Sequence, residues 1–319
     1  MKRFVKNILI YVLPMVLILT YFETQLPSVA NNYSKKKMFL ERSMSETEVL
    51  ILGSSLSYYG IDPSFFMARG FNLSLVSQSI FYDFQLISKY ESQMPKLRLC
   101  IIAIDYFTME YNLGKSPEYW RMFFYERYFG IPLESKDRDW DIKRYSLIRL
   151  YGGRESLRLA RKRFKVDLVP DMKDNGFFQN ANAAGQRRNS NSENGERIAY
   201  HHSIMDSGNI ETNVTNLEKI VRLLKLNDVI PALVTLPATS AYSNSINQDK
   251  YRSMLDALNS VCGRYNVVYH NYLFDDRFTS SDFIDADHLS PEGAEKFSRL
   301  LNEEMVVPLL RHADTTSEQ

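Results

Sequence analysis

The sequence of 319 residues contains only two cysteines, Cys100 and Cys262, and both stand beside apolar residues. We expect two buried thiols, and a single disulfide between them is the alternative in an oxidising compartment. The sequence also lacks any Cys-x-x-Cys pair or cluster of histidines and cysteines that would indicate a zinc site. It therefore predicts neither a bound metal nor a cofactor.

An excess of charge of one sign is also missing. The formal net charge is +1, so no overall field attracts nucleic acid or an acidic polymer, and we expect no nucleic-acid partner. The sequence has no internal repeat, and its 45% of hydrophobic and 24% of charged residues are typical of a globular protein. Its length suits one large domain with an elaboration, or two small domains.

A long uncharged run near the N-terminus is the clearest anomaly in the composition. Three basic residues, Lys2, Arg3 and Lys6, precede an apolar run over residues 8–22. A buried helix of a soluble protein is disfavoured because the run is apolar on every face. We predict a signal anchor over residues 1–25 that crosses the cytoplasmic membrane once, followed by a stem over residues 26–46.

The charges around this run bear on its orientation. Basic residues before the run favour a cytoplasmic N-terminus, with the rest of the chain on the extracytoplasmic side. The lysines at positions 35–37 place positive charge on the far side as well, which opposes this orientation. A cleaved signal peptide is the alternative, with residues 27–30 as its cleavage region.

Beyond the stem, short apolar runs alternate with segments of helical spacing. Leu217, Ile220, Val221 and Leu224, for example, recur at spacings of three and four, as on one face of a helix. The alternation predicts an α/β fold, a three-layer sandwich with a central, mostly parallel sheet, over residues 47–311. The predicted strands are residues 48–52, 71–75, 97–104, 229–236 and 266–269, and the predicted helices are residues 82–90, 213–226, 248–265 and 291–302.

The alternation is interrupted by an insertion after the third strand, at about residues 112–202. It contains an aromatic stretch, residues 119–125, and a basic helix candidate, residues 154–165. Residues 179–197 are rich in Asn, Ser, Gly and Ala, which predicts a mobile loop. A polar tail, residues 312–319, ends the chain.

The residues that follow each strand are the candidates for a site, because open parallel sheets bind ligands at the carboxyl ends of their strands. The first strand is followed by Gly53-Ser54-Ser55-Leu56-Ser57, a tight turn into a helix. A serine hydroxyl exposed there lies near free backbone amides that stabilise negative charge, as a nucleophile requires. A plain serine-rich turn is the alternative interpretation.

A second cluster of polar residues precedes the last helix, for which Ser290 is the predicted N-cap. Asp285 and His288 are three residues apart, so a loop between them would let the carboxylate orient the imidazole. An ordinary surface loop is one alternative. A metal site formed by Asp285, Asp287 and His288 is another, but it lacks a second histidine.

Together, the two motifs resemble those of the SGNH/GDSL hydrolases. The serine turn matches the family's Gly-x-Ser motif, with Ser54 where the family motif has aspartate, and Asp285-Ala286-Asp287-His288 matches its Asp-x-x-His motif. The resemblance spans about residues 49–301, without the insertion. It implies a flavodoxin-like sandwich and a catalytic triad in which Ser55 is the nucleophile, His288 the base and Asp285 the residue that orients it.

The oxyanion hole of this family is matched only in part. The resemblance implies the amide of Ser55 as one donor and the amide of Ser77, at a position where glycine is usual, as a second. The third block of the family supplies an asparagine, whereas this sequence has Asp105-Tyr106, which leaves Tyr106 as the candidate for the third donor. The candidates for substrate contacts are Asn72, Asp105, His201 and His202.

An N-terminal anchor, a Gly-Ser-Ser turn and a degenerate third block resemble a membrane-anchored branch of the family, which includes the lipoteichoic-acid D-alanylation protein and the alginate O-acetylation proteins. The resemblance implies O-acylation, such as O-acetylation, of an exported cell-surface polysaccharide through an acyl group on Ser55. It also implies a membrane-bound O-acyltransferase as partner. A carbohydrate esterase or deacetylase that uses water is one alternative, and a non-catalytic glycan-binding scaffold of the same fold is another.

Overall fold

The computed structural model describes residues 2–179 and 191–317 of the chain. The strands within these residues are β1 (Val49–Leu52), β2 (Gly70–Asn72), β3 (Leu99–Ala103), β4 (Ile230–Thr235) and β5 (Val268–Asn271). All five are parallel and pair in the order β2-β1-β3-β4-β5. The predicted α/β fold with a parallel central sheet is therefore confirmed.

Helices precede the sheet, connect its strands and follow it. The helices are α1 (Lys2–Gln25), α2 (Asn32–Ser43), α3 (Ser55–Gly60), α4 (Ile80–Tyr90), α5 (Met122–Phe124), α6 (Ile142–Tyr145), α7 (Leu147–Tyr151), α8 (Gly153–Arg161), α9 (Asn191–Ile204), α10 (Ile210–Leu226), α11 (Ser240–Ser243), α12 (Gln248–Tyr265), α13 (Pro291–Leu301) and α14 (Val307–Ser317). Helices α4 and α12 both pack against α10, whereas α3 packs against α13. Because β-α-β crossovers are right-handed, the two groups lie on opposite faces of the sheet.

The strand order places a crevice between the ends of β1 and β3. The chain leaves β1 towards β2 on one side and later enters β3 on the other, so the carboxyl ends of β1 and β3 form a topological switch point. Ligands of open parallel sheets bind at such points because the flanking loops diverge there. Ser55 follows β1, and Asp105 follows β3, so both lie at this edge of the sheet.

The N-terminal helix α1 is the one described helix that is long and apolar enough to cross a membrane, over Ile10–Ser28. Its large apolar side chains from Ile10 to Tyr21 are exposed rather than packed in the core. Exposure of an apolar helix surface on this scale fits a lipid environment.

The predicted stem is part of the folded unit. Phe39 and Leu40 of α2 are buried among the core residues. The buried Lys36 donates from Nζ to the carbonyl oxygens of Asn72, at 2.7 Å, and Gly176, at 2.6 Å. The folded unit thus begins before residue 47, because Leu26, Val29 and the apolar side chains of α2 belong to the core.

Two other predicted segments are more helical than the sequence suggests. Residues 180–190 of the predicted mobile loop lie outside the described residues, but α9 covers its end, and the predicted polar tail is largely covered by α14. Each of these helices buries an apolar side chain, Ile198 in α9 and Leu310 in α14. Both residues lie next to the polar segments rather than within them, so each helix extends from its apolar contact into a polar segment.

The two cysteines lie in different elements, Cys100 in β3 and Cys262 in α12. Both thiols are free, and Cys100 is buried whereas Cys262 is partly exposed. Burial raises the pKa of both thiols, which keeps them protonated and unreactive at neutral pH.

Candidate active site

The shape of the serine turn depends on Gly53. Its φ of +138° is a value that L-residues rarely adopt. A Cβ atom here would lie 2.6 Å from Oγ of Ser57 and 2.7 Å from Cβ of Ala103. Only glycine fits both the backbone angle and the space. The turn thereby places Ser55 at the carboxyl end of β1, as the first residue of α3.

Two of the three hydroxyl groups in the turn are already bonded within the protein. Oγ of Ser54 donates to Oδ2 of Asp105 at 2.5 Å, and Oγ of Ser57 lies 2.9 Å from a second buried serine hydroxyl. Oγ of Ser55 lies 2.9 Å from Nε2 of His288 instead. These contacts distinguish Ser55 from its neighbours as the serine that faces a base.

His288 is held by a tight loop that ends where α13 begins. The N–H of Ile284 donates to the carbonyl oxygen of His288 at 2.9 Å and closes the loop. Oδ1 of Asp285 accepts from the N–H groups of Asp287, at 3.1 Å, and His288, at 2.8 Å. Ser290 caps α13, as predicted. The main-chain bonds of Asp285 therefore hold its carboxylate beside the imidazole.

Asp285, His288 and Ser55 form a continuous hydrogen-bonded chain. Nδ1 of His288 lies 2.9 Å from Oδ2 and 3.1 Å from Oδ1 of Asp285, while Nε2 faces Ser55. Because the carboxylate accepts the Nδ1 proton, Nε2 carries the lone pair that can take the proton of the Ser55 hydroxyl. A histidine base activates a serine nucleophile through this arrangement.

The charges around the imidazole favour its protonated form. Burial acts to lower the pKa of His288, but the carboxylates of Asp287 and Asp285 outweigh burial and raise this pKa above its usual value. Burial acts to raise the pKa of Asp285, which is nevertheless lowered by the charge of His288 and the hydrogen bonds to it. Asp285 is therefore ionised at neutral pH and stabilises the imidazolium that forms on proton transfer.

A buried ion pair between Arg197 and Asp287 lies beside the imidazole, and the sequence did not predict it. Nε of Arg197 lies 2.9 Å and 3.1 Å from the two carboxylate oxygens of Asp287, whose side chain is fully buried. Nη2 of Arg197 lies 3.4 Å from Nε2 of His288. Arg197 was missed because it ends a polar stretch that resembles a loop. Its spacing of four residues from His201 was the available signal.

His201 lies one helical turn after Arg197 and contacts the same ion pair. Its Nδ1 lies 2.5 Å from the hydroxyl of Tyr242, and its Nε2 lies 3.6 Å from Oδ2 of Asp287. Burial lowers the pKa of His201 to about 3, although the charge of Asp287 opposes this effect. His201 is therefore a neutral residue of the site and lies on α9.

A cavity of about 190 Å³ lies against Ser55 and His288. Part of its wall is apolar, with Val76, Phe107 and Ile204, and part is polar, with Ser77, Glu118 and Arg197. The volume equals that of about six molecules of liquid water. The hydrogen-bonded chain therefore opens onto a small space with both an apolar and a charged side.

Ser77 has a backbone conformation that glycine adopts more readily than other residues. Its φ is +60°, in the left-handed region, where a residue with a Cβ is strained. Its hydroxyl donates to the carboxylate of Glu118, which also pairs with Arg121 at 2.8 Å. No described residue accepts a hydrogen bond from the Ser77 amide, which leaves this N–H available to a ligand in the cavity.

Asn72 and Asp105, which were predicted to contact substrate, support the serine turn instead. Asn72 is fully buried, and its Nδ2 donates to the carbonyl oxygens of Ser57 and Ile61, both at 2.8 Å. Asp105 is buried and accepts a hydrogen bond from the Ser54 hydroxyl. Neither residue lines the cavity, because these internal bonds turn their polar atoms towards the protein.

The predictions for Tyr106 and His202 are also corrected. The hydroxyl of Tyr106, the predicted third oxyanion donor, lies 3.0 Å from Nε2 of His202. It also accepts from the N–H of Asn247, the residue before α12, at 2.9 Å. Neither Tyr106 nor His202 lines the cavity, because the tyrosine side chain turns towards the start of α12.

The carboxylates near His288 are close enough together to be possible ligands of a metal ion. One ligand atom from each of Asp285, Asp287 and His288 lies within 4.8 Å of the others. However, Asp285 is bonded to Nδ1 of His288, and Asp287 is paired with Arg197. A divalent cation would lie beside a permanent positive charge, so this donor set fits a histidine–carboxylate pair better than a metal.

Two buried carboxyl groups flank the main chain of the serine turn. Asp83 accepts from Nε2 of Gln78 at 2.6 Å and from the N–H of Gly53, and its Oδ2 has no partner among the described residues. Burial raises the pKa of Asp83 and that of Asp105 to about 7. Both buried carboxyl groups are therefore protonated below neutral pH and begin to ionise near neutral pH.

We expect Asp83→Asn to reduce the loss of stability that accompanies a rise in pH from about 5 to about 8. A raised carboxyl pKa in the folded chain contributes stability that is complete below the unfolded pKa and is lost as the pH rises through about 7. Asparagine resembles the protonated acid and cannot ionise. The fall in unfolding free energy as the pH rises, up to a few kcal/mol in the wild type, should therefore be smaller in Asp83→Asn. Thermal unfolding of the full chain in detergent at about pH 5 and about pH 8 measures this difference.

Asp256→Asn is the matched control, because Asp256 is exposed. It should leave the pH dependence of unfolding unchanged. An equal loss of stability between the two pH values in Asp83→Asn and in the wild type would contradict the assignment of a raised pKa to Asp83.

Comparisons with known proteins do not identify a family. No protein-family model matches the chain, and no curated protein matches it significantly. The function must therefore be inferred from the geometry around Ser55 and from the motifs in the sequence.

Proposed function

We propose that the protein is a membrane-anchored serine acyltransferase or esterase of the SGNH type. The observation that carries this proposal is the chain of hydrogen bonds from Asp285 through His288 to Ser55, at the edge of a small cavity. Chain order and spacing of the three residues are those of the SGNH/GDSL motifs, which supports the assignment. Asp285 orients His288, His288 is the general base and Ser55 is the nucleophile.

The proposed reaction has two steps. Oγ of Ser55 attacks the carbonyl carbon of an ester while its proton passes to Nε2 of His288, and the leaving alcohol takes that proton as the ester bond breaks. A second hydroxyl, from water or from a sugar, then attacks the acyl-serine and regenerates Ser55. The developing oxyanion is stabilised by the amides of Ser55 and Ser77 and by the guanidinium of Arg197, which replaces Tyr106 as the third donor.

The cavity supports a short acyl group. Its volume of about 190 Å³ accommodates an acetyl group with room for part of the alcohol, but it is too small for a long fatty acyl chain. Val76, Phe107 and Ile204 provide an apolar wall against which a methyl group can pack. We therefore propose an acetyl or similarly short acyl ester as the donor.

The acceptor that we propose is an exported cell-surface polysaccharide, with a membrane-bound O-acyltransferase as partner and the catalytic domain on the extracytoplasmic side. Support comes from the motif resemblance and from the apolar helix α1, which is able to anchor the chain in a membrane. A carbohydrate esterase is the second candidate, because the triad serves water as well as a sugar hydroxyl.

Covalent labelling tests the nucleophile directly. A fluorophosphonate should modify Ser55 of the full chain in detergent, because His288 activates this hydroxyl alone within the turn. Peptide mass spectrometry locates the adduct, and His288→Ala should slow its formation by about two orders of magnitude or more. Adducts on Ser57, or an unmodified Ser55 under conditions that label a known serine hydrolase, would contradict the proposal.

A further inference from the structure

Contacts between α1 and the insertion limit how the folded domain can be oriented on a membrane. The carboxylate of Glu23 accepts hydrogen bonds from Oγ of Ser146, at 2.5 Å, and from the N–H groups of Leu147, at 2.8 Å, and Ile148, at 3.2 Å. Phe22 packs edge-on against the ring of Phe164, with 5.4 Å between the ring centroids. The insertion is therefore attached to the last turns of the apolar helix.

A groove of about 650 Å³ separates the two elements closer to the middle of α1. Val16, Leu19 and Thr20 line it from α1, and Ile142 and Ile148 line it from the insertion. The insertion thus runs beside α1 at the level of these residues as well as at the end of the helix.

The length of α1 determines where this groove lies relative to the hydrocarbon core of a bilayer. A bilayer has a hydrocarbon core of about 30 Å, which a helix crosses with about 20 residues. The uncharged stretch of α1, residues 7–22, has only 16 residues. If Val16, Leu19 and Thr20 lay outside the bilayer, too few residues would remain to cross it. The part of the insertion that shares the groove must then lie at the boundary between headgroups and acyl chains.

The insertion exposes large apolar side chains close in sequence to the residues that line the groove. Trp140 is 93% exposed, Ile142 58% and Tyr145 62%. We call these three residues the interfacial patch. Tryptophan and tyrosine are enriched where proteins cross the membrane–water interface, because their rings bury apolar area while their polar atoms remain hydrated.

The charge of the same segment suits an anionic lipid surface. Residues 136–165 contain 11 lysines and arginines but only 4 aspartates and glutamates. Arg149, Arg154 and Arg161 are exposed, and none of the three forms an ion pair with a described residue. Exposed basic side chains near a bilayer are attracted to anionic lipid headgroups.

We propose that residues 136–165 form a second membrane contact beside α1, in which the interfacial patch enters the headgroup region of an anionic bilayer. The exposed arginines lie against lipid phosphates, and the two contacts together fix the orientation of the domain on the membrane. This proposal does not depend on the chemistry at Ser55, since none of its residues belongs to the triad or the cavity.

Trp140 reports on this contact, because the chain has only one other tryptophan, Trp120. The full-length Trp120→Phe protein is placed in nanodiscs of phosphatidylcholine, with or without phosphatidylglycerol. Lipids brominated on their acyl chains should quench Trp140, and iodide in the water should quench it at least about threefold less than N-acetyltryptophanamide. Phosphatidylglycerol should strengthen the quenching by brominated lipid.

Two variants complete the test. Replacement of Arg149, Arg154 and Arg161 by glutamine should remove most of the response to phosphatidylglycerol, whereas Arg222→Gln, an exposed arginine on α10, should not. Full quenching of Trp140 by iodide without quenching by brominated lipid, in both nanodisc compositions, would overturn the proposal. That result would instead favour a protein partner as the occupant of the groove.

Discussion

Replacing Ser55 by alanine is expected to lower kcat/KM for p-nitrophenyl acetate by about four orders of magnitude or more, because the covalent step loses its nucleophile. The fold should persist, since the Ser55 side chain bonds to His288 and to no other described residue. The full chain in detergent is assayed beside the wild type, and circular dichroism compares the folds. In cells, the proposed acyltransferase function requires that the same substitution abolish acylation of the surface polysaccharide.

Ser57→Ala is the matched control, because Ser57 lies in the same turn but its hydroxyl faces the buried Ser74. It should keep activity within a few-fold of the wild type. Polymer acylation that continues with Ser55→Ala would favour the non-catalytic scaffold. Rapid turnover of the wild type without any sugar acceptor would favour the esterase over a dedicated transferase.

Arg197→Gln is expected to lower kcat by about 10²-fold to 10³-fold, which corresponds to the loss of one oxyanion donor. KM should change much less, because a neutral ester carries little charge before the attack and Arg197 acts on the charge that develops in the transition state. Steady-state kinetics on p-nitrophenyl acetate separate the two parameters. Thermal unfolding is measured in parallel, because the substitution also leaves the buried Asp287 without its partner.

The pH profile distinguishes this role from a structural one. The neutral form of His288 accepts the serine proton, so wild-type kcat/KM should fall as the pH drops through the raised pKa of His288. The charge of Arg197 opposes that rise in pKa, so in Arg197→Gln the acid limb should move to higher pH.

Arg197→Lys keeps the charge and should leave the acid limb in place, while part of the rate is lost because an ammonium lacks the planar donor fork. Normal kcat and an unshifted acid limb in Arg197→Gln would restrict Arg197 to the neutralisation of Asp287.

The strands and the main helices could be predicted because their patterns are local. β1 and β3 are continuous apolar runs, and they are buried along their whole length, as expected of strands covered on both faces. In α10, the predicted apolar face of Leu217, Ile220, Val221 and Leu224 is fully buried. Helix α2 resembles a polar stem in the sequence, because polar and charged residues outnumber the few side chains that it buries.

The candidate site could be predicted where a short motif holds the residues together. Asp285 and His288 lie in one loop, and the serine turn follows a strand whose end was predictable. The side-chain directions of Tyr106 and Asn72 depend on partners in other elements, Asn247 before α12 and the residues in and after α3, which no local pattern indicates.

The sequence by itself determined the parallel α/β architecture, the apolar N-terminal helix and the choice of Ser55, Asp285 and His288 as candidates, because strand periodicity, helix capping and motif spacing are properties of neighbouring residues. Only the tertiary structure decided that Arg197 and His201 lie beside His288, that Tyr106 lies away from the cavity and that residues 146–148 contact the end of α1. These contacts join segments tens of residues apart, so packing and buried charge pairing select them, and no local pattern encodes them.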